Sequence, residues 1–221
     1  MADNNNKTSQ RVLDPLERSS EVLFGIIMVL TFTGSLRIAQ VGHGAIREML
    51  IGALGCNLAW GVIDGIMYLM ANLSERGHNI FLLRAVRAAR KPEEAHRIIA
   101  DATQPLVASV LPKSVFEEVR VSLNTLPDPP AAPHLHWDDW RGAFGVFLLV
   151  FLSTFPVVVP FLVIEHRVRL ALHISDAIAM VMLLITGYSY GKYAGNHPWG
   201  WATSMVLIGA GMVGLTILLG G

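Results

Sequence analysis

The chain has 221 residues, of which 52% are hydrophobic and 15% are charged, and its mean hydropathy is +0.48. This composition is too apolar for an average soluble domain and predicts a membrane protein with several spans. The 17 Lys and Arg residues balance the 17 Asp and Glu residues, so no overall basic charge indicates binding to nucleic acid.

Residues 1–20 are polar and carry no short apolar segment followed by a small-residue cleavage site. We therefore expect no removable signal peptide, and the first apolar run should remain as an anchor. About 20 apolar residues in a helix cross a bilayer. The sequence predicts five such spans, at residues 22–39, 49–71, 142–164, 168–190 and 199–219. Pro156 and Pro160 should kink the third span, because each removes a backbone donor.

The segment between the second and third spans, residues 72–141, is polar and predicts a soluble helical insert. Apolar and basic residues alternate at helical spacing over 80–91, which predicts a basic helix lying on anionic headgroups. A second helix is predicted over 92–103. A third should begin at Ser114, which forms an S-x-x-E capping box with Glu117.

The positions of the positive charges predict the orientation of the chain. Most of the 17 Lys and Arg residues precede the first span or lie in the insert. The amino-terminal segment and the insert should therefore be cytoplasmic and the carboxyl terminus outside. The predicted fold is an all-α integral membrane protein with spans one and two in residues 21–71 and spans three to five in residues 142–221. The absence of organelle-targeting features favours a bacterial inner membrane.

Asp64 is a carboxylate within the second apolar run, where its insertion is costly. Met67 and Tyr68 follow at i+3 and i+4, so all three share one side of the helix. We interpret this side as part of a metal-cation pathway. The alternative is that Asp64 only forms a hydrogen bond between two helices.

The fourth span contains Asp176 and Met180, a second acid within a turn or so of a thioether. Carboxylates with thioethers suit Fe(II) or Mn(II), and buried carboxylates can exchange a proton for a metal. Asp176 is equally well explained by a structural hydrogen bond with His173. The single cysteine, Cys56, excludes an internal disulfide and should serve packing.

The insert offers candidate metal-collecting groups, which are Glu93, Glu94, His96, Asp101, Glu117 and Glu118. The alternative for these acids is helix capping and solvated ion pairs with Arg97 and Arg120. A second cluster of ligand types, at His134, His136, Asp138 and Asp139, precedes the third span. Anchoring at the membrane interface explains this cluster equally well.

Residues 187–191 match the G-x-S-x-G pattern of hydrolase nucleophile elbows, with Ser189 at its centre. That motif needs a strand, a turn and a helix to expose its serine. Here it ends a predicted membrane helix, so we expect Gly187 and Gly191 to serve helix packing. We likewise expect Gly211 and Gly214 to allow close packing of the fifth span. No enzyme activity is predicted.

The order of two spans, a cytoplasmic insert and three spans resembles the vacuolar iron transporter family. Short motifs across the chain add to the resemblance: Glu21-Val-Leu-Phe-Gly25, Gly52-Ala-Leu-Gly55, Ser74-Glu-Arg76, and Phe155-Pro156 to Pro160. The resemblance implies a homodimer that exports Fe(II) or Mn(II) from the cytoplasm in exchange for protons. It also implies metal collection by the cytoplasmic helices and transfer through Asp, Glu and Met residues in the membrane, without a resident cofactor.

Two positions depart from the family pattern. Met28 stands where the family has the carboxylate of an Asn-Asp-Gly motif, and Asp64 is the nearest acid to the family's second-span glutamate. Glu21 retains the acidic entry to the first span. Core filling is the alternative explanation for Met28. The alternative for the whole chain is a non-transporting membrane scaffold or sensor whose cytoplasmic helices bind a partner protein.

Overall fold

A computed structural model describes residues 15–38, 43–164, 167–195 and 197–218. Within these ranges the chain is helical and forms no strand, which confirms the all-α prediction. The helices in chain order are α1 Pro15–Ile38, α2 His43–Ala88, α3 Pro92–Ala102, α4 Pro105–Val110, α5 Lys113–Thr125, α6 Trp137–Ser153, α7 Phe155–Val163, α8 Val168–Tyr193 and α9 Pro198–Leu218.

The chain divides into two compact units. The membrane unit comprises residues 1–68 and 141–221, and the insert unit comprises residues 69–140. Helices α2 and α6 contribute residues to both. Among the residues that the structure describes, three helical stretches are long and apolar enough to cross a membrane: Ile46–Ala88, Trp137–Val163 and Val168–Tyr193. A shorter apolar helix covers Ser19–Thr31. The prediction of a membrane protein is confirmed in this form, whereas the number of five spans stays a prediction.

Helix α2 is longer than the sequence predicted. The apolar run was expected to end at residue 71 and a separate basic helix to cover residues 80–91, but one helix of 46 residues continues to Ala88. This prediction of two helices was wrong: residues 72–79 are polar apart from Leu73, but they contain no proline that would end the helix. Gly77 is the only weak breaker among them. Loss of hydropathy therefore marks the end of the apolar stretch and not the end of the helix.

The predicted kink in the third span is confirmed as a break. Helix α6 ends at Ser153 and α7 begins at Phe155, with Pro156 in the first turn of α7. Hydroxyl groups satisfy carbonyls on both sides of this break. Ser153 Oγ donates to the Val150 carbonyl at 2.7 Å, and Ser175 Oγ of α8 donates to the Val157 carbonyl at 2.7 Å.

The core of the membrane unit is formed by α1, α7, α8 and α9. Its fully buried residues include Ile26 and Val29 of α1, Val157 of α7 and Leu183 of α8. A second apolar cluster joins the first half of α2 to α7 and α8; its buried members are Met49, Ala53, Phe161, Ala171 and Leu172. Apolar side chains at helical spacing on each helix produce these contacts.

Glycines bring α8 and α9 into close contact. A methyl group added at Gly187 would lie 2.8 Å from Ala202 Cα, and one added at Gly191 would lie 2.7 Å from Pro198 Cα. The packing explanation of the G-x-S-x-G segment is therefore confirmed. Methyl groups at Gly211 and Gly214 would meet no atom of the described chain within 4 Å, so the close packing expected of those two glycines was wrong within one chain.

The insert unit has its own small core, in which Val86 of α2 packs with Ala95 and Ile99 of α3 and Phe116 of α5. The predicted second helix is confirmed as α3, whereas the short helix α4 was not predicted. Helix α5 begins at Lys113 with Pro112 as its N-cap and no side-chain cap. The capping-box prediction was therefore wrong, since Glu117 binds other partners.

Arginines of α2 hold the proline-rich segment that follows α5. Arg84 Nη2 donates to the Pro130 and Ala131 carbonyls at 2.9 and 3.2 Å. Arg87 donates to the Leu123 and Leu126 carbonyls and binds the Asp128 carboxylate at 2.9 Å. These guanidinium groups, predicted to bind lipid headgroups, thus have partners within the insert unit.

Candidate metal site

Three polar side chains lie on one side of α2 within its apolar part. Asn57, Trp60 and Asp64 follow each other at spacings of three and four residues, which places them on one helix face. We call these residues the α2 polar face. Each has a buried atom without a hydrogen-bond partner among the described residues: Asn57 Oδ1, Trp60 Nε1 and Asp64 Oδ2.

The α2 polar face lies between α1 and α6. Gly61 and Gly65 are on the same side of α2 and allow α6 to approach. A methyl group added to Gly61 would lie 3.1 Å from the Phe147 carbonyl oxygen, and one at Gly65 would lie 3.2 Å from that of Ala143. On the α1 side, the Trp60 ring lies 6.2 Å from the ring of Phe24.

Asn57 was missed as a candidate in the sequence. It is 0% exposed, and its Nδ2 donates to the Ala53 carbonyl at 3.1 Å, which satisfies only the amino side of the amide. Its Oδ1 lies 3.7 Å from the position of a methyl group at Gly25 of α1. The signal that could have identified it is an amide inside an apolar run.

The α2 polar face presents two kinds of acceptor oxygen. Asp64 supplies a carboxylate and Asn57 supplies an amide carbonyl, and both types bind hard or borderline divalent cations. A buried acceptor without a partner costs free energy, so these oxygens favour a cation, a water molecule or a proton at this position. Trp60 Nε1 can only donate and cannot be a metal ligand.

Met67 and Met28 are not buried beside Asp64. Met67 is 59% exposed and belongs to an exposed apolar stripe of α2 that also contains Ile63, Ile66 and Met70. Tyr68, predicted to share the side of Asp64, packs its ring on Gly142 of α6. Met28 is half-buried on α1. The roles of Met67 and Met28 as metal ligands stay predictions.

The remaining membrane candidates are half-buried. Glu21 lies in α1, and Asp176 lies in α8. Met180, one turn after Asp176, packs against α9, since its Sδ is 3.2 Å from the position of a methyl group at Gly209. This contact gives Met180 a packing role, and metal binding by Glu21, Asp176 and Met180 stays a prediction.

The acids of the insert have diverse surroundings. Glu93, Glu94 and Glu118 are exposed. Glu117 Oε2 lies 2.8 Å from His96 Nε2, and the Arg120 guanidinium donates to both Glu117 oxygens at 2.8 and 2.6 Å. These hydrogen bonds, first that from Arg120 and then that from His96, lower the pKa of Glu117 to about 2.

The structure does not gather the predicted collecting acids into one metal site. Among the described residues there is no group of three or more His, Cys, Asp or Glu side chains placed to hold a metal ion. Glu117 is engaged by two basic side chains, which compete with a metal for its oxygens. Collection of metal by Glu93, Glu94, Glu117 and Glu118 stays a prediction.

Comparison with known proteins identifies one family. The model of the VIT family matches residues 87–221, which is more than half of the chain. The matched range contains α3 to α9, whereas the α2 polar face lies before it. No curated protein matches the chain.

Proposed function

The chain belongs to the VIT family, a family of membrane transporters of metal ions, and from this membership we propose that it exports Fe(II) or Mn(II) from the cytoplasm in exchange for protons. The observation that carries the proposal is the burial of one carboxylate oxygen of Asp64. Its Oδ2 is buried without a hydrogen-bond partner in the described chain, within the apolar part of α2. A purely structural aspartate would donate or accept a bond to a neighbouring helix.

The chemistry of this face supports exchange of a metal for a proton. A carboxylate must lose its proton before it coordinates a divalent cation, so metal entry and proton release are linked. Asn57 Oδ1 adds a neutral acceptor about two turns before Asp64. In our proposal the cation moves along the α2 polar face while Asp64 alternates between the protonated and the metal-bound form.

The architecture in the proposal has five spans, with the insert unit in the cytoplasm and the carboxyl terminus outside. We further propose a homodimer in a bacterial inner membrane. The exposed apolar stripe of α2 supports the dimer, because a second copy placed on it would bring Met67 and Met70 to an interface. Thioethers at such an interface would complement the oxygen atoms of Asp64.

The proposal is tested with the purified full chain in proteoliposomes. Influx of Mn(II), and of Fe(II) under reducing conditions, is followed with an internal metal indicator while a pH gradient is imposed or collapsed. We expect Asp64→Asn to abolish flux and collapse of the gradient to slow it. The matched control is Asp128→Asn, which makes the same change at a carboxylate whose side chain is 100% exposed.

Equal flux in wild type and Asp64→Asn would remove Asp64 from the mechanism. A metal flux that does not depend on the pH gradient would exclude the exchange of metal for protons. Absence of flux for every divalent ion would favour the alternative function, a membrane scaffold or sensor whose insert binds a partner protein.

A further inference from the structure

The segment before α6 holds two histidines that the proposed transport pathway does not use. The ring centroids of His134 and His136 are 4.5 Å apart, with an interplanar angle of 73°. Both residues are exposed. Two imidazole groups are thus held next to each other on the surface of the insert unit.

The backbone at both histidines is fixed by a partly buried ion pair between Arg76 and Asp139. Arg76 donates to the two oxygens of Asp139 at 2.5 and 2.8 Å, and Asp139 is 5% exposed. Arg76 Nη1 also donates to the His134 carbonyl at 2.9 Å. The His136 N–H donates to Asp139 Oδ2 at 2.6 Å. The same pair of side chains therefore positions both histidines and leaves their rings exposed.

The distance between the rings fits two ligands of one metal ion. With metal–nitrogen bonds of about 2.1 Å, two imidazoles in adjacent coordination positions have centroids about 4.5 to 5.3 Å apart. The observed 4.5 Å lies at the lower end of that range, as for ligands about 90° apart. Parallel, face-to-face rings could not direct both nitrogens at one ion, and the angle of 73° excludes that arrangement.

We propose that His134 and His136 form a two-histidine site for a divalent transition-metal ion on the insert unit. Neutral imidazole binds such ions through one nitrogen. Two protein ligands leave the other coordination positions to water, which suits reversible binding. The site is independent of Asp64, so it stands whether or not the proposed transport is correct.

The test measures Zn(II) binding by the full chain in detergent, after removal of any affinity tag, in competition with a chromogenic chelator. We expect His134→Ala and His136→Ala each to weaken one binding event by about tenfold or more, because a single imidazole remains. Asp64→Asn should retain this event, which separates it from binding in the membrane unit.

The control is His197→Asn, which removes another exposed imidazole. Asparagine suits that position because His197 has a φ of 29°. Far-UV circular dichroism and gel filtration establish that each variant is folded. If the fold is affected, His134→Gln and His136→Gln replace the alanine variants. Unchanged Zn(II) binding in both histidine variants would show that the two rings only pack against each other and would overturn the proposal. A loss of Zn(II) binding in His197→Asn equal to that in the histidine variants would also overturn it.

Discussion

His96 Nε2 lies 2.8 Å from Glu117 Oε2, and this contact joins α3 to α5 across 21 residues of sequence. Arg120, one turn after Glu117, forms a bidentate pair of hydrogen bonds with the same carboxylate. An acid that the sequence offered as a helix cap or a metal ligand is therefore bound by two basic side chains. Glu117 therefore links α3 to α5 within the insert unit.

The first prediction concerns the pH dependence of this connection. The folded chain lowers the pKa of Glu117 from 4.5 to about 2, so the ionised carboxylate stabilises the folded insert unit above pH 4.5. That stabilisation should decline as the pH falls from 4.5 towards 2. We expect Glu117→Gln to increase amide hydrogen exchange in α3 and α5 at neutral pH, and the difference from wild type to shrink as the pH falls through that range.

Glu118→Gln is the control, since Glu118 is the exposed neighbour of Glu117 on α5. Its hydrogen exchange should equal that of wild type at every pH. A difference between Glu117→Gln and wild type that stays constant down to pH 2 would show that the ionised carboxylate is not the source of the stability.

A second prediction concerns the ion pair between Arg76 and Asp139. Arg76→Met would leave the Asp139 carboxylate buried without its guanidinium partner. We expect the free energy of opening of the segment around His134 to fall by about 1 to 3 kcal/mol. Hydrogen exchange of residues 133–139 measures this change. Arg90→Met, at an exposed arginine after α2, should leave the exchange unchanged.

Combining Arg76→Met with Asp139→Asn tests the mechanism. Because the double variant no longer buries a carboxylate that lacks its cationic partner, it should recover part of the lost protection. Strictly additive losses would indicate that the two side chains act separately.

Local signals in the sequence predicted the elements whose cause is also local. The break at Thr154 follows from the backbone donor that Pro156 lacks in the first turn of α7, and α3 begins where Pro92 suits the first helical position. The continuation of α2 to Ala88 was missed because hydropathy was used to place a helix end. The capping box at Ser114 was predicted wrongly because the partners of Glu117 include His96, 21 residues away.

In the candidate site, too, a residue with a local signal was predicted and a residue that depends on distant contacts was not. An acid in an apolar run is visible in the sequence, so Asp64 was found. Asn57 was not found, because its importance depends on the approach of α1 at Gly25 and of α6 near Gly61. The arginine contacts to linker carbonyls could not be predicted either, since a guanidinium on a basic helix face suits headgroups and carbonyls equally well.

The contact between α8 and α9 leads to a third prediction. Gly187→Ala would place a methyl group 2.8 Å from both Ala202 Cα and the Trp201 carbonyl oxygen, so the helices must separate. We expect a loss of about 1 to 3 kcal/mol in stability, measured by thermal unfolding in detergent. Gly211→Ala on α9 meets no described atom within 4 Å and should be neutral or stabilising. Equal unfolding temperatures for the two variants would contradict the close contact.

A fourth prediction separates transport from stability at Asn57. Asn57→Ala removes a buried acceptor that has no partner in the described chain and gives up only a bond from Nδ2 to the carbonyl four residues earlier. Thermal stability should therefore stay equal or rise, because alanine favours the helix. Divalent-metal flux should fall by about tenfold, as expected if one interaction of about 1.4 kcal/mol with the cation is lost.

Asn124 provides the matched control for this variant. Its Nδ2 donates to the Arg120 carbonyl at 3.0 Å, which is the same four-residue contact, but it lies on the exposed side of α5. Asn124→Ala should leave flux unchanged. A fall in stability without a fall in flux for Asn57→Ala would make Asn57 a packing residue. It would also leave Asp64 as the sole described acceptor of the α2 polar face that could serve a cation, because Trp60 offers only a donor.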